Sequence, residues 1–473
     1  MALNVSFLQE LLNSVAEQGR ALLPKGLFGA EPEKGLQSLV DALMSGRGEA
    51  SGVAIARQLL RHYRILGTDE RRAFFRYVAT VLRPEPEAVA EAARAYLASP
   101  TESTLGRLQD AVESPLQEFF RRLNLTPGAT AEIVAMRRDL LRMAHDPALD
   151  VVDAALRHLL ASWFNRGFLV LRRIDWQTPA SILEKIIAYE AVHRIESWDD
   201  LRRRLDPADR RCFAFFHPSL VDEPLIFVEV ALQHEAPDAI APLLSEARKS
   251  EPVRDPSTAV FYSISNCQEG LKGISFGSFL LKQVIEDLVR EMPTLKTFVT
   301  LSPAPSFARW LDRLAGDDSE HVLAATDRAA LRALRDPDWH ERGAEQLQEL
   351  EATLRALAAH YFLLARSVDG HPVDPVARFH LGNGARLERI NWLADTSEKG
   401  LREAHGLMVN YRYDLKEIER NHEAYANQGA IAASKGVRAS LRTPAKPKAP
   451  SAPQLALPGT GAEPPAGKGP QRA

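Results

Sequence analysis

Through the first 165 residues, apolar positions recur at three- and four-residue spacing, and Gly, Pro or Ser separates one such segment from the next. This spacing places apolar side chains on one face of a helix. Segments with this pattern lie at 36–44, 53–63, 69–82, 86–97, 115–123 and 131–143. Thr68, which precedes two acidic residues, is expected to cap the N-terminus of the helix predicted at 69–82. The pattern predicts an all-helical bundle over residues 1–165, which we interpret as a scaffold or oligomerisation domain without chemistry of its own.

Short apolar runs rich in Phe, Val and Ile replace this pattern from residue 166 onward, and such runs are typical of strands. They lie at 167–174, 212–217, 225–232, 259–265 and 297–301, with helical patterns at 179–189, 278–290, 319–334 and 343–365 and a loop with a strand-like piece at 378–392. Residues 221–224 predict the turn of an antiparallel hairpin, and the helix over 278–290 predicts a parallel crossover. We therefore expect a mixed sheet with helices over residues 166–440, of the α+β or α/β class.

The two ends of the chain have other patterns. Residues 5–15 show helical spacing with a nearby acidic residue, which predicts an amphipathic helix rather than a secretory signal. Residues 441–473 contain eight prolines and one acidic residue, and such a segment buries too little apolar area to offset its ordering entropy. We expect this tail to be disordered. No run of about 18 apolar residues predicts a membrane-spanning helix.

Composition narrows the classes of partner. The 473 residues are 45% hydrophobic and 26% charged, as in an ordinary globular protein, with a formal net charge of -3. This balance gives no broad attraction for nucleic acid or an acidic membrane, so an anionic ligand must be bound by local charge. Cys212 and Cys267 are far apart and lack metal-ligand spacing, which argues against a disulfide framework and a zinc site. A reducing, cytoplasmic location is expected.

Candidate chemistry is concentrated after the run at 259–265, in a loop that contains Gly270, Gly273 and Gly277 and leads into a helix. Such a loop can hold a pyrophosphate with its amides, and glycines allow the close approach. The spacing is neither GxxxxGK[ST] nor GxGxxG, which argues against a nucleoside triphosphatase and a Rossmann dehydrogenase. It is similar to the loop that binds the coenzyme A pyrophosphate in the acetyltransferase-like fold. Spacing alone also leaves open a plain turn between a strand and a helix.

Two further residues are candidates for reactive chemistry. Ser302 ends the run at 297–301 and precedes Pro303, so its hydroxyl lies at a strand end, where it can be either reactive or merely turn-forming. His380 lies next to a Gly382-Asn383-Gly384 turn. Judged by the sequence around it alone, it can be either a functional residue or a buried, hydrogen-bonded residue of the core. The sequence pattern alone does not choose between these roles.

Four segments, in this order, resemble malonyl-CoA decarboxylases: FFHPSLVDEPLIFVEVAL, FYSISNCQEGLKGISFGSFLLKQVIEDL, FVTLSPAPSFARWL and ARFHLGNGARLERINWLAD. The resemblance covers about 168–413, and the preceding helical region is similar to the helical N-terminal domain of that family. It implies an acetyltransferase-like (GNAT-like) catalytic domain that converts malonyl-CoA to acetyl-CoA and carbon dioxide without a metal or an organic cofactor. It also implies a homo-oligomer, either a dimer or a tetramer.

The resemblance also implies site residues. The catalytic serine of the family's LSPxPxF motif is Ser302 here, and the catalytic histidine of its FHLxNGA motif is His380. The loop residues that would contact coenzyme A are Gln268, Lys272, Gly273, Ile274, Ser275, Phe276, Gly277, Ser278 and Leu281. Lys185 matches a lysine that matters for activity in the family, and His217 is a second accessory candidate with a structural role as its default. Tyr411 and Tyr413 are expected to be packing residues.

Decarboxylation leaves a thioester enolate, so the site must stabilise charge on the thioester oxygen and deliver one proton to carbon. We expect Ser302 to bind the departing carboxylate or relay a proton, and His380, titrating near neutrality, to act as the acid. A coenzyme A-dependent acyltransferase, an acyl-CoA thioesterase and an inactive scaffold are the alternatives. Ser302 is not in a GxSxG turn and no third triad member is evident, which argues against the thioesterase.

Overall fold

The computed structural model describes residues 32–46, 48–248, 254–274, 276, 280–316 and 322–442. Its first part is helical, and all six helical segments predicted there form helices. The described residues of this part form eight helices: α1 (Pro32–Met44), α2 (Glu49–Ile65), α3 (Thr68–Val81), α4 (Pro86–Ala98), α5 (Glu102–Val112), α6 (Pro115–Leu123), α7 (Ala129–Arg142) and α8 (Asp150–Trp163). The amphipathic helix predicted at 5–15 and the tail beyond residue 442 lie outside the described residues.

Apolar side chains at helical spacing pack the helices together, with packed aromatic rings at the centre of the bundle. Phe74 and Phe119, from α3 and α6, lie 6.4 Å apart between ring centroids. The predicted cap is wrong by one position. Thr68 is the first helical residue, and Gly67 precedes it, with its N–H donating to Glu70 Oε2 at 2.6 Å. The acidic residue of the first turn thus binds the free amide at the helix start.

The second part is an eight-stranded mixed sheet, which confirms the predicted class. Its strands are β1 (Val170–Ile174), β2 (Arg210–His217), β3 (Leu220–Gln233), β4 (Thr258–Asn266), β5 (Thr297–Thr300), β6 (Ser302–Pro303), β7 (Arg386–Asn391) and β8 (Met408–Tyr413). They are ordered β1-β2-β3-β4-β5-β8-β6, with β7 also on β8. The pair β4–β5 is parallel and the other pairs are antiparallel.

Helices cover the sheet and connect its strands. They are α9 (Ala180–Tyr189), α10 (Trp198–Leu205), α11 (Ala241–Leu244), α12 (Leu280–Glu291), α13 (Phe307–Gly316), α14 (Ala325–Leu331), α15 (Ala344–Leu363), α16 (Pro375–Gly382), α17 (Glu398–Ala404), α18 (Ile418–Gln428) and α19 (Lys435–Ala439). Buried apolar residues of the helical part and of the sheet form one continuous cluster. None of the helices in the described ranges is long and apolar enough to cross a membrane.

The parallel pair at the centre of the sheet separates part of the way along. Strand β5 pairs with only the first four residues of β4, from Thr258 to Phe261. Beyond this point β4 continues to Asn266, whereas Ser302 turns to pair with Val409 of β8. The two strands thus diverge at the point from which β4 leads into the glycine loop.

Two local predictions are corrected by the structure. Strands β2 and β3 form the expected antiparallel hairpin, but His217 pairs with Leu220, so the turn is Pro218-Ser219. Residues 221–224 lie inside β3, where a register shift and the positive φ of Asp222 (55°) absorb the turn-like sequence. The loop predicted near residue 378 is the helix α16, because Asp374 caps its N-terminus and proline occupies its first turn.

Candidate active site

The glycine loop follows β4 and folds back through a short 3-10 turn at Glu269–Leu271. The amide of Ile274 closes the loop by donating to the Leu271 carbonyl at 3.0 Å. Gly273 has a φ of 77°, a conformation that residues with a Cβ atom rarely adopt. A Cβ atom at Gly270 would lie 2.0 Å from the carbonyl oxygen of Val134 in α7. Gly273 therefore permits the turn of the loop, and Gly270 permits close packing of the loop against α7.

A cavity of about 620 Å³ opens over this loop. The glycine loop, the end of β4, the start of α12 and the helix α16 contribute residues to its lining. The lining residues are Leu225, Ile226, Asn266, Cys267, Gln268, Glu269, Leu271, Lys272, Gly273, Ile274, Phe276, Leu280, Arg378, Phe379, Gly382 and Asn383. Five of the predicted contact residues are among them.

The other predicted contact residues are placed differently. Leu281 is buried in the core, and its neighbour Leu280 lines the cavity instead. Ser275, Gly277 and Ser278 lie outside the residues whose side chains the structure describes. Sequence patterns did not indicate the cavity residues of α16. Among them, Arg378 adds a cation to the lining in addition to Lys272 of the loop. Both cations suit a phosphate-bearing ligand.

Ser302 and His380, which are 78 residues apart, come into contact below this region. The Ser302 Oγ atom lies 3.1 Å from His380 Nε2 and donates to Thr300 Oγ1 at 2.8 Å. The other ring nitrogen, His380 Nδ1, lies 2.8 Å from the hydroxyl of Tyr413. The structure therefore brings the two predicted catalytic residues together and extends them into a chain of four polar side chains.

One tautomer of the histidine is compatible with all of these hydrogen bonds. Ser302 has one hydroxyl proton, and it is donated to Thr300. In the compatible tautomer, His380 Nε2 donates to Ser302 and Nδ1 accepts the hydroxyl proton of Tyr413. In a hydrolase triad the serine instead donates to the histidine. The arrangement does not activate Ser302 as a nucleophile.

The histidine is deeply buried. His380 is 2% exposed and stacks on the ring of Tyr411, with centroids 4.5 Å apart. Burial disfavours the imidazolium and lowers the pKa of His380 to about 3. The expectation that this residue titrates near neutrality is therefore wrong, and the imidazole is neutral at pH 7.

Tyr413 was expected to be a packing residue and is instead a member of the site. It lies on β8, two residues from Tyr411, so both side chains are on the same face of the sheet. Tyr411 packs against the imidazole, while the hydroxyl of Tyr413 binds it. Burial raises the pKa of Tyr413 well above its usual value, so the phenol keeps its proton and remains a donor.

The accessory candidates do not line the cavity. Lys185 Nζ lies 2.7 Å from Glu223 Oε1, and Glu223 Oε2 accepts a hydrogen bond from Gln268 at 3.3 Å. Lys185 is thus linked to the cavity through one intervening carboxylate. His217 packs against Phe164, with ring centroids 4.7 Å apart, and its placement agrees with a structural role.

The two catalytic candidates adjoin the cavity without lining it. Phe379 lines the cavity and precedes His380 in α16, and their ring centroids are 5.1 Å apart. Within the described part of the chain, no three His, Cys, Asp or Glu side chains are grouped so that they could hold a metal ion.

Comparison with known proteins finds relatives over most of the chain. Family models of the malonyl-CoA decarboxylase C-terminal domain and N-terminal domain match residues 167–451 and 82–164. The mitochondrial malonyl-CoA decarboxylase of Anser anser anser is 35% identical over 344 residues, which is 67% of this chain and 68% of that protein. The Mus musculus protein of the same name is 34% identical over 356 residues, or 70% and 72% of the two chains.

Solved structures agree with this result. The malonyl-CoA decarboxylase of Rhodopseudomonas palustris is 53% identical and superposes with a TM-score of 0.83, covering 87% of this chain and 100% of that one. The Agrobacterium vitis enzyme is 52% identical with a TM-score of 0.82, and the coverage is 86% and 100%. The two family models, the sequence relatives and these structures lead to one conclusion: the chain belongs to the malonyl-CoA decarboxylase family.

Proposed function

We propose that the protein converts malonyl-CoA to acetyl-CoA and carbon dioxide. The observation that carries the proposal is the buried hydrogen-bonded pair of Ser302 and His380 beside a cavity that has a glycine loop on one wall. Membership of the malonyl-CoA decarboxylase family supports the same substrate. Lys272 and Arg378 would bind phosphates of the coenzyme.

The chemistry can proceed without a metal or an organic cofactor. The bond between the carboxylate and the methylene carbon breaks, its electron pair enters the thioester as an enolate, and carbon dioxide leaves. The thioester carbonyl is the electron acceptor in this step. One proton then binds the methylene carbon and gives the methyl group of acetyl-CoA. The site must therefore stabilise the enolate oxygen and supply one proton.

We assign the proton transfer to the Ser302–His380 pair. The Ser302 hydroxyl gives its proton to the enolate carbon, and the Nε2 proton of His380 replaces it. In this relay the neutral imidazole gives up its Nε2 proton and is left as an imidazolate, and the enolate carbon is basic enough to drive that loss. The low pKa of His380 describes the imidazolium and does not bear on this step. Solvent restores the proton after the product leaves, because the net reaction consumes one proton.

Burial contributes in a second way. Ser302 is 5% exposed and His380 is 2% exposed, so water is excluded from the pair. Removing water from a carboxylate favours the loss of neutral carbon dioxide and strengthens hydrogen bonds to the developing enolate. Tyr413 holds the imidazole in the tautomer that presents Nε2–H to Ser302.

Three properties implied by the resemblance or the composition are part of the same proposal. They are a homo-oligomer (a dimer or a tetramer), a cytoplasmic location, and a division into a helical domain of residues 1–165, a catalytic domain of residues 166–440 and a tail. The animal relatives named above are mitochondrial proteins.

The products formed from malonyl-CoA test the proposal. Purified protein is incubated with malonyl-CoA, and carbon dioxide, acetyl-CoA and free coenzyme A are quantified together. We expect carbon dioxide and acetyl-CoA in equal amounts. Free coenzyme A without carbon dioxide would indicate a thioesterase, and turnover only after an amine is added would indicate an acyltransferase.

A further inference from the structure

A side chain of the helical part holds the glycine loop from behind. Arg137, in α7, is 1% exposed. Its Nη1 atom donates to the carbonyl oxygens of Gly270 at 2.7 Å and Lys272 at 2.9 Å, and its Nε atom donates to Asp153 Oδ1 at 2.8 Å. A guanidinium presents its donors in a rigid plane, so these contacts set the directions of two loop carbonyls at once.

The direction of one carbonyl determines that of the following amide. A trans peptide unit is planar, and its C=O and N–H groups point in opposite directions. Because the Lys272 carbonyl points at Arg137, the N–H of Gly273 points away from Arg137. Gly273 lines the cavity, and no backbone hydrogen bond among the described residues uses its N–H. This amide is available to a ligand.

The contact between α7 and the glycine loop is close, so the position of the helix fixes the position of the loop. Gly270 packs against the carbonyl of Val134, where a Cβ atom would find only 2.0 Å of space. Arg142, at the end of the same helix, binds Glu269 of the loop, with Nη2 2.6 Å from Oε2. The helix therefore contacts the loop through backbone packing, through an exposed ion pair and through the buried guanidinium of Arg137.

We propose that Arg137 is a positioning residue that holds the glycine loop so that the Gly273 amide faces the pyrophosphate of coenzyme A. The inference rests on the proposed function and adds to it a role for the helical part beyond that of a scaffold. Arg137 acts on the nucleotide end of the substrate and has no part in the reaction at the methylene carbon.

Two substrates that differ only in the nucleotide end test this role. Malonyl-pantetheine carries the same thioester as malonyl-CoA but no phosphate. In Arg137→Gln we expect kcat/KM for malonyl-CoA to fall at least about tenfold, mainly through KM, and kcat/KM for malonyl-pantetheine to stay within about threefold of wild type. Equal losses for both substrates, or no change in their ratio, would overturn the proposal.

Arg71→Gln is the matched control. Arg71 also binds α7, through Asp139 with Nη1 2.7 Å from Oδ2, so its replacement removes an arginine contact to the same helix but not to the loop. We expect the ratio of the two kcat/KM values to equal that of wild type in this variant. A shift as large as that of Arg137→Gln would assign the effect to general loosening of α7 and so contradict the proposal.

A milder variant covers the case in which Arg137→Gln does not fold. Asp153→Asn keeps the guanidinium but removes the charge that binds its Nε atom, and the Asp153 side chain is partly exposed, at 26%. We expect the ratio of kcat/KM for malonyl-CoA to kcat/KM for malonyl-pantetheine to fall by about threefold, in the same direction as in Arg137→Gln. A folded Asp153→Asn protein with the wild-type ratio would overturn the inference. Wild-type protein that decarboxylates neither substrate would instead contradict the proposed function.

Discussion

At the residue scale, Ser302 and His380 were identified as candidates through family motifs, whereas their hydrogen-bond partners were not predicted. Ser302 and His380 lie in distinctive segments, LSPAPSF and FHLGNGA. Tyr413 lies in a strand with the ordinary pattern of a core strand, and its hydroxyl meets the imidazole only after β8 has paired with β5. Contacts between side chains 33 residues apart depend on this register, which local patterns do not encode. The sequence signal that could have indicated a site in β8 was the polar group at each end of the segment NYRY, on Asn410 and Tyr413.

The low pKa of His380 predicts an unusual pH dependence. In the proposed mechanism the neutral imidazole is the active form, and burial lowers the pKa of His380 to about 3. The kcat/KM of malonyl-CoA decarboxylation should therefore show no acid limb from this residue between about pH 5 and 8. Because the folded-state pKa lies below the unfolded value of about 6.5, stability from this group is lost as pH falls from about 6.5 towards 3. A kcat/KM profile with an acid limb near pH 6.5 would be inconsistent with a neutral His380.

Replacing Tyr413 with Phe should slow the reaction without weakening binding. The change leaves His380 Nδ1 buried without its donor, which costs about 1–3 kcal/mol and frees the imidazole to adopt the wrong tautomer. We expect kcat to fall about 10–100-fold with KM within about twofold of wild type, measured by steady-state kinetics with malonyl-CoA.

Tyr411→Phe provides a matched control for that variant. Its ring would still stack on His380, and within the described part of the chain the Tyr411 hydroxyl has no hydrogen-bond partner to lose. We expect kcat within about threefold of wild type. If the two tyrosine variants lost activity equally, packing rather than the Tyr413 hydroxyl would explain the effect.

At the element scale, sequence periodicity predicted six of the eight helices described before residue 165 and six of the eight described strands, because apolar spacing is a local property. Strands β6 and β8 were not predicted. Errors arose where tertiary contacts override local signals. The turn-like residues 221–224 remain in β3 because Leu220, just before the segment, and Pro224, at its end, pair with β2. The histidine motif is helical because Asp374 caps it. The loop was recognised from its glycines, but its contact with α7 could not be, since it joins segments more than 130 residues apart.

Gly270→Ala tests the packing between α7 and the loop. The new Cβ atom would lie 2.0 Å from the carbonyl oxygen of Val134, so the helix or the loop must move. We expect a loss of about 1–3 kcal/mol in the free energy of unfolding, measured by denaturant titration, together with a raised KM for malonyl-CoA.

Gly52→Ala is the control for this substitution. Gly52 lies in α2, and a Cβ atom added there would have no neighbouring atom within 4 Å, so alanine should stabilise the helix by up to about 1 kcal/mol. An unfolding midpoint and a KM for Gly270→Ala that both equal those of wild type would show that the close contact has no functional consequence.

At the scale of the whole molecule, the helical part and the sheet share one core, and we propose that the helical part also forms the interface of a homo-oligomer. Helices α4 and α5 pack mainly on each other and leave apolar side chains exposed, with Leu97 79%, Leu105 39% and Val112 47% exposed. Exposed apolar side chains on a helical hairpin suit contact with a second copy of the chain.

Light scattering coupled to size exclusion measures this assembly. One chain has a mass of 52.4 kDa, and we expect a species of two or four chains. Replacing Leu97 with Glu should shift the protein toward smaller species, since it places a charge in the proposed interface. A wild-type protein that elutes with the mass of a single chain would contradict the oligomer.

The central claim is that Ser302 and His380 carry out the decarboxylation, and the most direct measurement is the rate of carbon dioxide release from malonyl-CoA in three proteins. They are the wild type, Ser302→Ala and His380→Asn. We expect kcat to fall by a factor of about 10²–10⁴ in each variant, as for the loss of a proton-transfer group, with KM within a few-fold of wild type. If both variants retained kcat within about threefold of wild type, a loss of only about 0.7 kcal/mol, the pair would not be catalytic.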